Sequence, residues 1–188
     1  MGSTSPLRID KDDCALMVVD IQDRLLPAIH EHERLIAQSA RLIQGARLLG
    51  VPIVWTEQYR QGLGPSNAAI IEAIGEAASP LEKMTFGCLD DDGVRAEVER
   101  LARPTLILCG IEAHICVAQT ALRGLEMGHR VAVAEDAVSS RRAADREVGL
   151  ARMRQAGAIP ANVEMLLMEW MRVAGTETFR RMLPLLKG

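Results

Sequence analysis

Asp20, Lys83 and Cys116 belong to residue types that together can attack the carbonyl group of a substrate. Each of them lies within or just beyond a stretch whose composition is typical of a β-strand. The thiolate of a cysteine is a nucleophile, and a nearby lysine lowers the pKa of a thiol. A carboxylate can accept a proton and return it, and backbone N–H groups near a helix N-terminus can hold an oxyanion. If the fold brings the three side chains together, the sequence predicts nucleophilic attack on a carbonyl carbon.

Cys116 follows the most strand-like stretch of the chain, residues 105–109, an uncharged aliphatic run typical of a strand buried on both faces of a parallel sheet. Gly110 permits a sharp turn, and from Ala113 apolar residues recur at helical spacing. Cys116 is therefore expected in the first turn of a helix, where open α/β sheets bind ligands and where the helix dipole favours a thiolate. By position alone, a small buried hydrophobe is an equally good interpretation.

Strand-like and helical stretches alternate along the whole chain. The predicted strands are 15–20, 51–56, 81–85, 105–109, 129–136 and 158–159, and the predicted helices are 31–49, 67–75, 91–101, one from 113, 145–156, 162–173 and 176–186. This alternation predicts a three-layer α/β/α, Rossmann-like fold around a six-stranded, mostly parallel sheet. Because the carboxyl ends of parallel strands share one edge, Asp20, Glu57, the region of Lys83 and Cys116 are candidates for one cleft.

Length and composition limit the class of protein. With 188 residues the chain is expected to form a single domain over 1–188, in which residues 1 to about 12 are an N-terminal extension. The net charge of −3 and the absence of a basic stripe argue against a nucleic-acid partner, and no apolar run is long enough for a membrane span. The four cysteines show no zinc-ligand spacing. Without an export signal, we expect reduced thiols and a cytoplasmic location.

Several short motifs follow one another in a characteristic order. They are Val18-Val19-Asp20-Ile21-Gln22, Thr56-Glu57-Gln58-Tyr59, Gly62-Leu63-Gly64, Lys83-Met84-Thr85-Phe86, Gly110-Ile111-Glu112 with Cys116, Asp136-Ala137-Val138-Ser139-Ser140-Arg141 and Ala151-Arg152-Met153-Arg154. In this order and spacing the chain resembles the isochorismatase-like cysteine hydrolases over nearly its whole length. The resemblance is closest to the branch of isochorismatase domain-containing hydrolases.

The resemblance implies an isochorismatase-like fold and a catalytic triad of Asp20, Lys83 and Cys116. It implies a cis peptide bond between Ile111 and Glu112, with backbone N–H groups at Glu112 and Cys116 holding the oxyanion. The activity so implied is hydrolysis of a C–N bond in a small amide through an acyl-enzyme on Cys116. No cofactor is expected, and the partners expected are a small-molecule substrate and further copies of the chain, as a dimer or tetramer.

One departure from the superfamily concerns metal binding. Nicotinamidases bind a metal through an Asp-x-His and a further His after the second strand, whereas this chain has Glu57-Gln58-Tyr59-Arg60 at that place. We therefore expect no metal and no nicotinamidase activity. True isochorismatases lack the cysteine, so the presence of Cys116 argues against vinyl-ether hydrolysis.

Five further residues are candidates for contact with a substrate, namely Gln22, Glu57, Tyr59, Phe86 and His114. For three of them the sequence leaves a second interpretation open: Glu57, like Gln58 beside it, could either line the pocket or merely solvate the loop, Tyr59 could pack, and His114 could be a satisfied polar group. A second function also stays open, because a reactive thiol oxidises readily and a fold does not by itself imply an activity. The chain could then be a non-catalytic ligand-binding or thiol redox-sensing protein.

Overall fold

A computed structural model describes residues 7–186 as helices packed on both faces of one parallel sheet. Its six strands lie in the order β3-β2-β1-β4-β5-β6, and every neighbouring pair is parallel. The strands are β1 (Cys14–Val19), β2 (Ile53–Gln58), β3 (Pro80–Lys83), β4 (Thr105–Ile111), β5 (Arg130–Ser139) and β6 (Ile159–Ala161). The predicted fold class is thereby confirmed, with all strands parallel.

Eight α-helices connect and flank the strands in the described residues. They are α1 (His32–Leu49), α2 (Arg60–Leu63), α3 (Ala68–Ile74), α4 (Asp92–Leu101), α5 (Ala118–Glu126), α6 (Ala143–Gln155), α7 (Val163–Met171) and α8 (Glu177–Leu186). Helices α1, α3, α7 and α8 build one aliphatic core on one face of the sheet, and α4, α5 and α6 build the other. None of the described helices combines the length and apolarity needed to span a membrane.

The central strands β1 and β4 can be buried on both faces because they contain no charged side chains that would need solvation. All residues of β1 and of β4 are buried, as expected for uncharged strands covered on both faces. The two strands approach most closely at Gly110, where a Cβ atom would lie 2.0 Å from the carbonyl oxygen of Val19. Only glycine fits there, so Gly110 sets the position from which the chain leaves β4 toward Cys116.

Five predicted strand ends were wrong by two or three residues: β3 ends at Lys83 rather than at residue 85, and β2, β4, β5 and β6 run past their predicted ends. The second strand continues through Glu57 to Gln58, because β3 extends its ladder by pairing Gln58 with Lys83. The fifth strand does not end at its carboxylates Glu135 and Asp136 but continues to Ser139. Its register against β4 shifts between Leu108 and Gly110, so the charged residues lie in an irregular stretch before the ladder resumes at Val138.

The helix predicted from Ala113 begins later than expected. Ala113–Val117 forms a π-helical turn, and the α-helix α5 starts only at Ala118. Of the proposed N-terminal extension, residues 1–6 lie outside the described part of the chain. Ile9 is buried, and its backbone N–H donates to Glu169 of α7 at 2.8 Å. Residues near Ile9 are therefore packed on the domain.

Candidate active site

Asp20, Lys83 and Cys116 converge at the carboxyl edge of the sheet. Asp20 directly follows β1 and adopts a left-handed backbone conformation with φ of 51°. Lys83 is the last residue of β3, two strands away from β1. Cys116 lies in the π-helical turn after β4 and shares a cavity with Asp20. All three side chains are buried, so they interact where water screens charge poorly.

The carboxylate of Asp20 is held at both oxygens. Lys83 Nζ lies 2.7 Å from Oδ2, and the hydroxyl of Thr56 donates to Oδ1 at 2.8 Å. Lys83 Nζ also donates to Gln58 Oε1 at 2.7 Å and to the carbonyl oxygen of Thr85 at 3.1 Å. These bonds leave Asp20 little freedom to rotate.

Neighbouring groups keep Lys83 positively charged in spite of its burial. Burial by itself lowers the pKa of Lys83, but its acidic neighbours outweigh burial and raise the pKa above its usual value; the neighbour that is charged at neutral pH is the carboxylate of Asp20, at 2.7 Å. A buried ammonium that has a carboxylate and further acceptors within hydrogen-bond distance is compensated for its lost hydration. Lys83 therefore pairs with Asp20 as a cation.

The protonation state of Cys116 differs from the expectation. Burial raises the pKa of this thiol to about 12, and the charge of Asp20 raises it further, while Lys83 acts in the opposite direction. Lys83 thus does not suffice to hold a thiolate against burial and the charge of Asp20. In the free protein Cys116 is a neutral thiol beside a carboxylate, and its sulfur becomes nucleophilic only when a base takes its proton.

The turn that carries Cys116 is fixed from several sides. Thr120 donates its hydroxyl to the carbonyl oxygen of Cys116 at 2.7 Å and accepts the backbone N–H of Cys88 at 2.8 Å. Helix α6 packs so closely on the turn that a Cβ atom at Gly149 would lie 2.8 Å from the carbonyl oxygen of Ala113. The Ile111–Glu112 peptide bond just before the turn is cis, as the family resemblance implies.

A cavity of about 150 Å³ opens beside the thiol. Its wall is mostly apolar and also contains polar residues of the site; the lining residues are Asp20, Leu25, Gln58, Leu63, Phe86, Ile111, Glu112, Ile115, Cys116 and Arg141. Phe86 was a candidate for contact with substrate, and it lies here with 58% of its surface exposed. Ile111 and Glu112, which share the cis peptide bond expected beside the oxyanion, also belong to this wall.

Glu112 and Arg141 form an ion pair in the wall of the cavity. The guanidinium of Arg141 donates to both oxygens of Glu112, from Nη2 at 2.7 Å and from Nε at 3.1 Å, and its backbone N–H donates at 3.0 Å. Burial raises the pKa of Glu112, but the bonds from Arg141 outweigh it and hold the pKa below its usual value. The pair is therefore ionised.

The other four candidates for substrate contact are not among the residues that line the cavity. Gln22 is buried, and its amide nitrogen donates to the carbonyl oxygens of Gln58 at 3.0 Å and Gly64 at 2.6 Å. Glu57 is buried too, accepting the backbone N–H of Ser66 at 2.7 Å. These two side chains anchor the segment that follows β2, because its turn leaves backbone groups for them to satisfy.

The contacts of Tyr59 and His114 agree with the alternatives that the sequence left open, a packing role for Tyr59 and a satisfied polar group for His114. Tyr59 is 44% exposed and packs over Gly62, where a Cβ atom would collide with its ring. His114 Nδ1 lies 2.9 Å from Ser140 Oγ, which ties the nucleophile's turn to the end of β5. Tyr59 therefore packs on its own loop, and His114 has a hydrogen-bond partner within the protein.

Other residues of the cavity wall differ in how far the sequence indicates them. Gln58, which the sequence left open as a pocket residue or a loop residue, lines the cavity and accepts a hydrogen bond from Lys83. Arg141 closes another motif, and an arginine pair such as Arg141-Arg142 is in sequence typical of a solvated face, although it could also attract an acidic substrate. The aliphatic residues Leu25, Leu63 and Ile115 carry no signal in the sequence that separates a cavity wall from a core.

Two further features of the described residues bear on ligands. No group of three or more His, Cys, Asp or Glu side chains is arranged there to hold a metal ion. A wider hollow of about 650 Å³ lies between α1, β5 and α7 and includes Arg34, Arg146 and Met165. Its lining contains none of Asp20, Lys83 and Cys116, so volume alone does not mark the reactive site.

Comparison with known proteins places the chain among relatives of matching length. A family model described as the isochorismatase domain matches residues 14–165. Isochorismatase domain-containing protein 2A of Mus musculus is 36% identical over 181 residues, which cover 96% of this chain and 85% of that protein.

Solved structures share the same fold. One described as the MAR1 ribonuclease from Caenorhabditis elegans is 34% identical, with a TM-score of 0.90 over 96% of this chain and 93% of that chain. The YcaC gene product of Escherichia coli, described as an octameric hydrolase of unknown specificity, is 24% identical. It has a TM-score of 0.86 over 98% of this chain and 89% of that chain.

Proposed function

Because the chain belongs to the isochorismatase domain family, we propose that it is a cysteine hydrolase that cleaves the C–N bond of a small amide at Cys116. The observation that carries this proposal is the placement of Asp20. Its carboxylate is held at one oxygen by Lys83 and at the other by Thr56, and it shares the cavity with the Cys116 thiol. A base that is fixed beside a neutral thiol is what an attack on a carbonyl carbon requires.

In the first step Asp20 accepts the proton of Cys116 while the sulfur bonds to the carbonyl carbon. The resulting oxyanion is held by the backbone N–H groups of Glu112 and Cys116. The protonated Asp20 then gives its proton to the nitrogen, the C–N bond breaks, and ammonia or an amine leaves. An acyl group remains on the sulfur of Cys116 as a thioester.

In the second step Asp20 activates a water molecule. The water oxygen bonds to the carbonyl carbon as Asp20 takes a proton, the C–S bond breaks, and the proton returns to the sulfur. The products are a carboxylic acid and the resting thiol. Lys83 contacts neither the carbonyl carbon nor the leaving nitrogen of the substrate in this scheme. It positions Asp20 and compensates its charge.

The raised pKa of Cys116 disfavours the alternative of a redox sensor. Oxidation of cysteine proceeds from the thiolate, and a pKa of about 12 leaves very little thiolate at neutral pH. A binding protein would also gain nothing from a lysine buried against a carboxylate. The retained Asp20–Lys83 pair therefore supports an enzyme.

The name of the C. elegans relative suggests a test with RNA. Binding to a polyanion depends on the neutralisation of phosphates by Lys and Arg, and this chain has a net charge of −3. We therefore expect no cleavage of RNA. Degradation of a labelled RNA by the wild-type protein, with loss in the Cys116→Ala variant, would contradict the amide proposal.

We also propose that the chain forms a homo-oligomer, as the octameric E. coli structure does. Met165 and Met168 on α7 are 49% and 40% exposed, and unbranched methionines suit adaptable contact surfaces. Sedimentation equilibrium measures the assembly directly, and a monomer at micromolar concentration would contradict this proposal.

Release of ammonia from a panel of small primary amides tests the activity. The Cys116→Ala variant should lose at least about 10³-fold in kcat, because the nucleophile of the acyl-enzyme is gone. Cys109→Ala is the matched control: Cys109 is a buried thiol inside β4, remote from the cavity lining, and its removal should leave kcat within about twofold. Retained turnover in Cys116→Ala would end the proposed mechanism.

A further inference from the structure

Every charge in the wall of the cavity already has its counter-charge within the protein. Asp20 pairs with Lys83 at 2.7 Å, and Glu112 pairs with Arg141 at 2.7 Å. The Glu112 carboxylate accepts three hydrogen bonds from Arg141 in all, one of them from its backbone. The wall therefore offers a ligand no unpaired charge.

The remaining wall is hydrocarbon, and the space is small. Leu25, Leu63, Phe86, Ile111 and Ile115 supply aliphatic and aromatic surface around the thiol. The cavity volume of about 150 Å³ is below the range of about 300–1,000 Å³ that is typical of pockets for drug-sized ligands. This is room for a short acyl chain together with the amide group.

Resting on the proposed hydrolase function, we propose that the substrate is an uncharged amide with a short aliphatic acyl group, and that the Glu112–Arg141 pair rejects amides that carry a carboxylate. Because Arg141 already neutralises Glu112, a carboxylate in this cavity would have to compete with Glu112 for the guanidinium and would lie close to the negative charges of Glu112 and Asp20, which is unfavourable. An uncharged acyl group buries apolar surface and disturbs neither ion pair.

Substitution of Glu112 and substitution of Arg141 are expected to have opposite effects on the selectivity of the cavity against a ligand carboxylate. Glu112→Gln removes the competing negative charge, so the guanidinium of Arg141 is free to pair with a carboxylate on the ligand. Arg141→Gln leaves Glu112 as an uncompensated negative charge, which repels such a ligand more strongly than the wild type does. A merely structural role for the pair would move both variants in the same direction.

Alkylation of Cys116 measures this selectivity without a known substrate. Iodoacetamide and iodoacetate differ chiefly in charge, and with either one the sulfur displaces iodide and its proton passes to Asp20 or to solvent. The readout is the ratio of the two rate constants at Cys116, from peptide mass spectrometry, divided by the same ratio for glutathione. We expect the normalised ratio to favour iodoacetamide at least about tenfold in the wild type.

Glu112→Gln should lower that normalised ratio at least about fivefold, and Arg141→Gln should raise it. Glu135→Gln is the matched control, since Glu135 forms a comparable pair with Arg154, at 2.6 Å, outside the cavity lining. Its ratio should equal that of the wild type. Among substrates, kcat/KM for butyramide should exceed that for succinamate at least about tenfold. The ratio of the two kcat/KM values should be smaller in Glu112→Gln than in the wild type.

Failure of the inference can be distinguished from failure of the proposed function. A wild-type ratio equal to that of glutathione, or variants that shift together, would overturn the charge-rejection inference while Cys116 still reacts and amides are still cleaved. Cleavage of succinamate in preference to butyramide would overturn it as well. If neither reagent labels Cys116 in the folded protein, the thiol is not available as a nucleophile and the proposed hydrolase function falls with the inference.

Discussion

Gly149→Ala tests whether the position of the Cys116 turn controls reactivity. Gly149 lies in α6 and faces the start of the π-helical turn, where an added Cβ atom would lie 2.8 Å from the carbonyl oxygen of Ala113 and 2.8 Å from the Cα atom of His114. Both of these atoms belong to the backbone. The helix and the turn must therefore move apart as units, because no side chain can rotate away.

The size of that movement sets the expected effect. Ordinary van der Waals contact of a Cβ atom begins at 3.4 Å, so the separation must grow by about 0.6 Å. A displacement of about 1 Å at a catalytic group can cost about 10²-fold in rate, so we expect kcat to fall about tenfold. Overpacking costs about 1–3 kcal/mol, and the gain of about 1 kcal/mol from replacing a helical glycine offsets part of it.

Gly93→Ala provides the control. Gly93 also lies in a helix, α4, but an added Cβ atom would approach only the carboxylate tip of Asp91, at 3.3 Å. This variant should keep its turnover and its Cys116 alkylation rate. The assay compares kcat and the iodoacetamide rate for both variants with their urea unfolding. If Gly149→Ala retains the kcat and alkylation rate of Gly93→Ala, the turn is not held as tightly as the packing implies.

Two further predictions concern the buried charges and thiols. Lys83→Met leaves Asp20 as a buried carboxylate without its counter-ion, so the free energy of unfolding should fall by about 3–5 kcal/mol in urea at pH 7. The double variant Lys83→Met with Asp20→Asn should regain most of that stability but no turnover. If Lys83→Met alone is as stable as the wild type, the burial of the Asp20–Lys83 pair is contradicted. Burial raises the pKa of Cys109 to about 12 from an ordinary 9.0, so the unfolded chain loses this proton first as the pH rises. The contribution of the neutral Cys109 thiol to the free energy of unfolding is therefore present in full below pH 9 and is lost as the pH rises toward 12. Between pH 10 and 11, Cys109→Ala should therefore reduce the downward slope of unfolding free energy with pH by about 1.4 kcal/mol per unit, and an unchanged slope would refute it.

Much of the fold followed from local patterns. Uncharged runs predicted β1 and β4 because a strand covered on both faces has no use for charge, and alternation with helical stretches predicted a parallel sheet. The strand ends were less predictable. Gln58 belongs to β2 because β3 pairs with it, and β5 passes Glu135 because its irregular stretch takes the carboxylates out of the ladder. Both depend on a neighbouring strand.

The sequence predicted the convergence of three residues at the candidate site but only part of the cavity wall, namely Phe86, Ile111 and Glu112. Asp20, Lys83 and Cys116 stand at strand ends, which parallel topology gathers at one edge. Gln22 and Glu57 belong to the same motifs but turn toward loop backbone. Arg141 is 29 residues from Glu112, and no local pattern shows that their side chains meet at the cavity.

The sequence by itself determined the parallel sheet and the chemistry that its carboxyl edge presents, because hydrophobic periodicity and residue type are local properties of the chain. Only the tertiary structure decided that the Cys116 thiol is neutral and that the charges of the cavity are paired within its own wall. A pKa depends on the water that packing removes and on charges brought near by folding. Those neighbours, Asp20 and Lys83 for the thiol and Arg141 for Glu112, come from distant parts of the sequence.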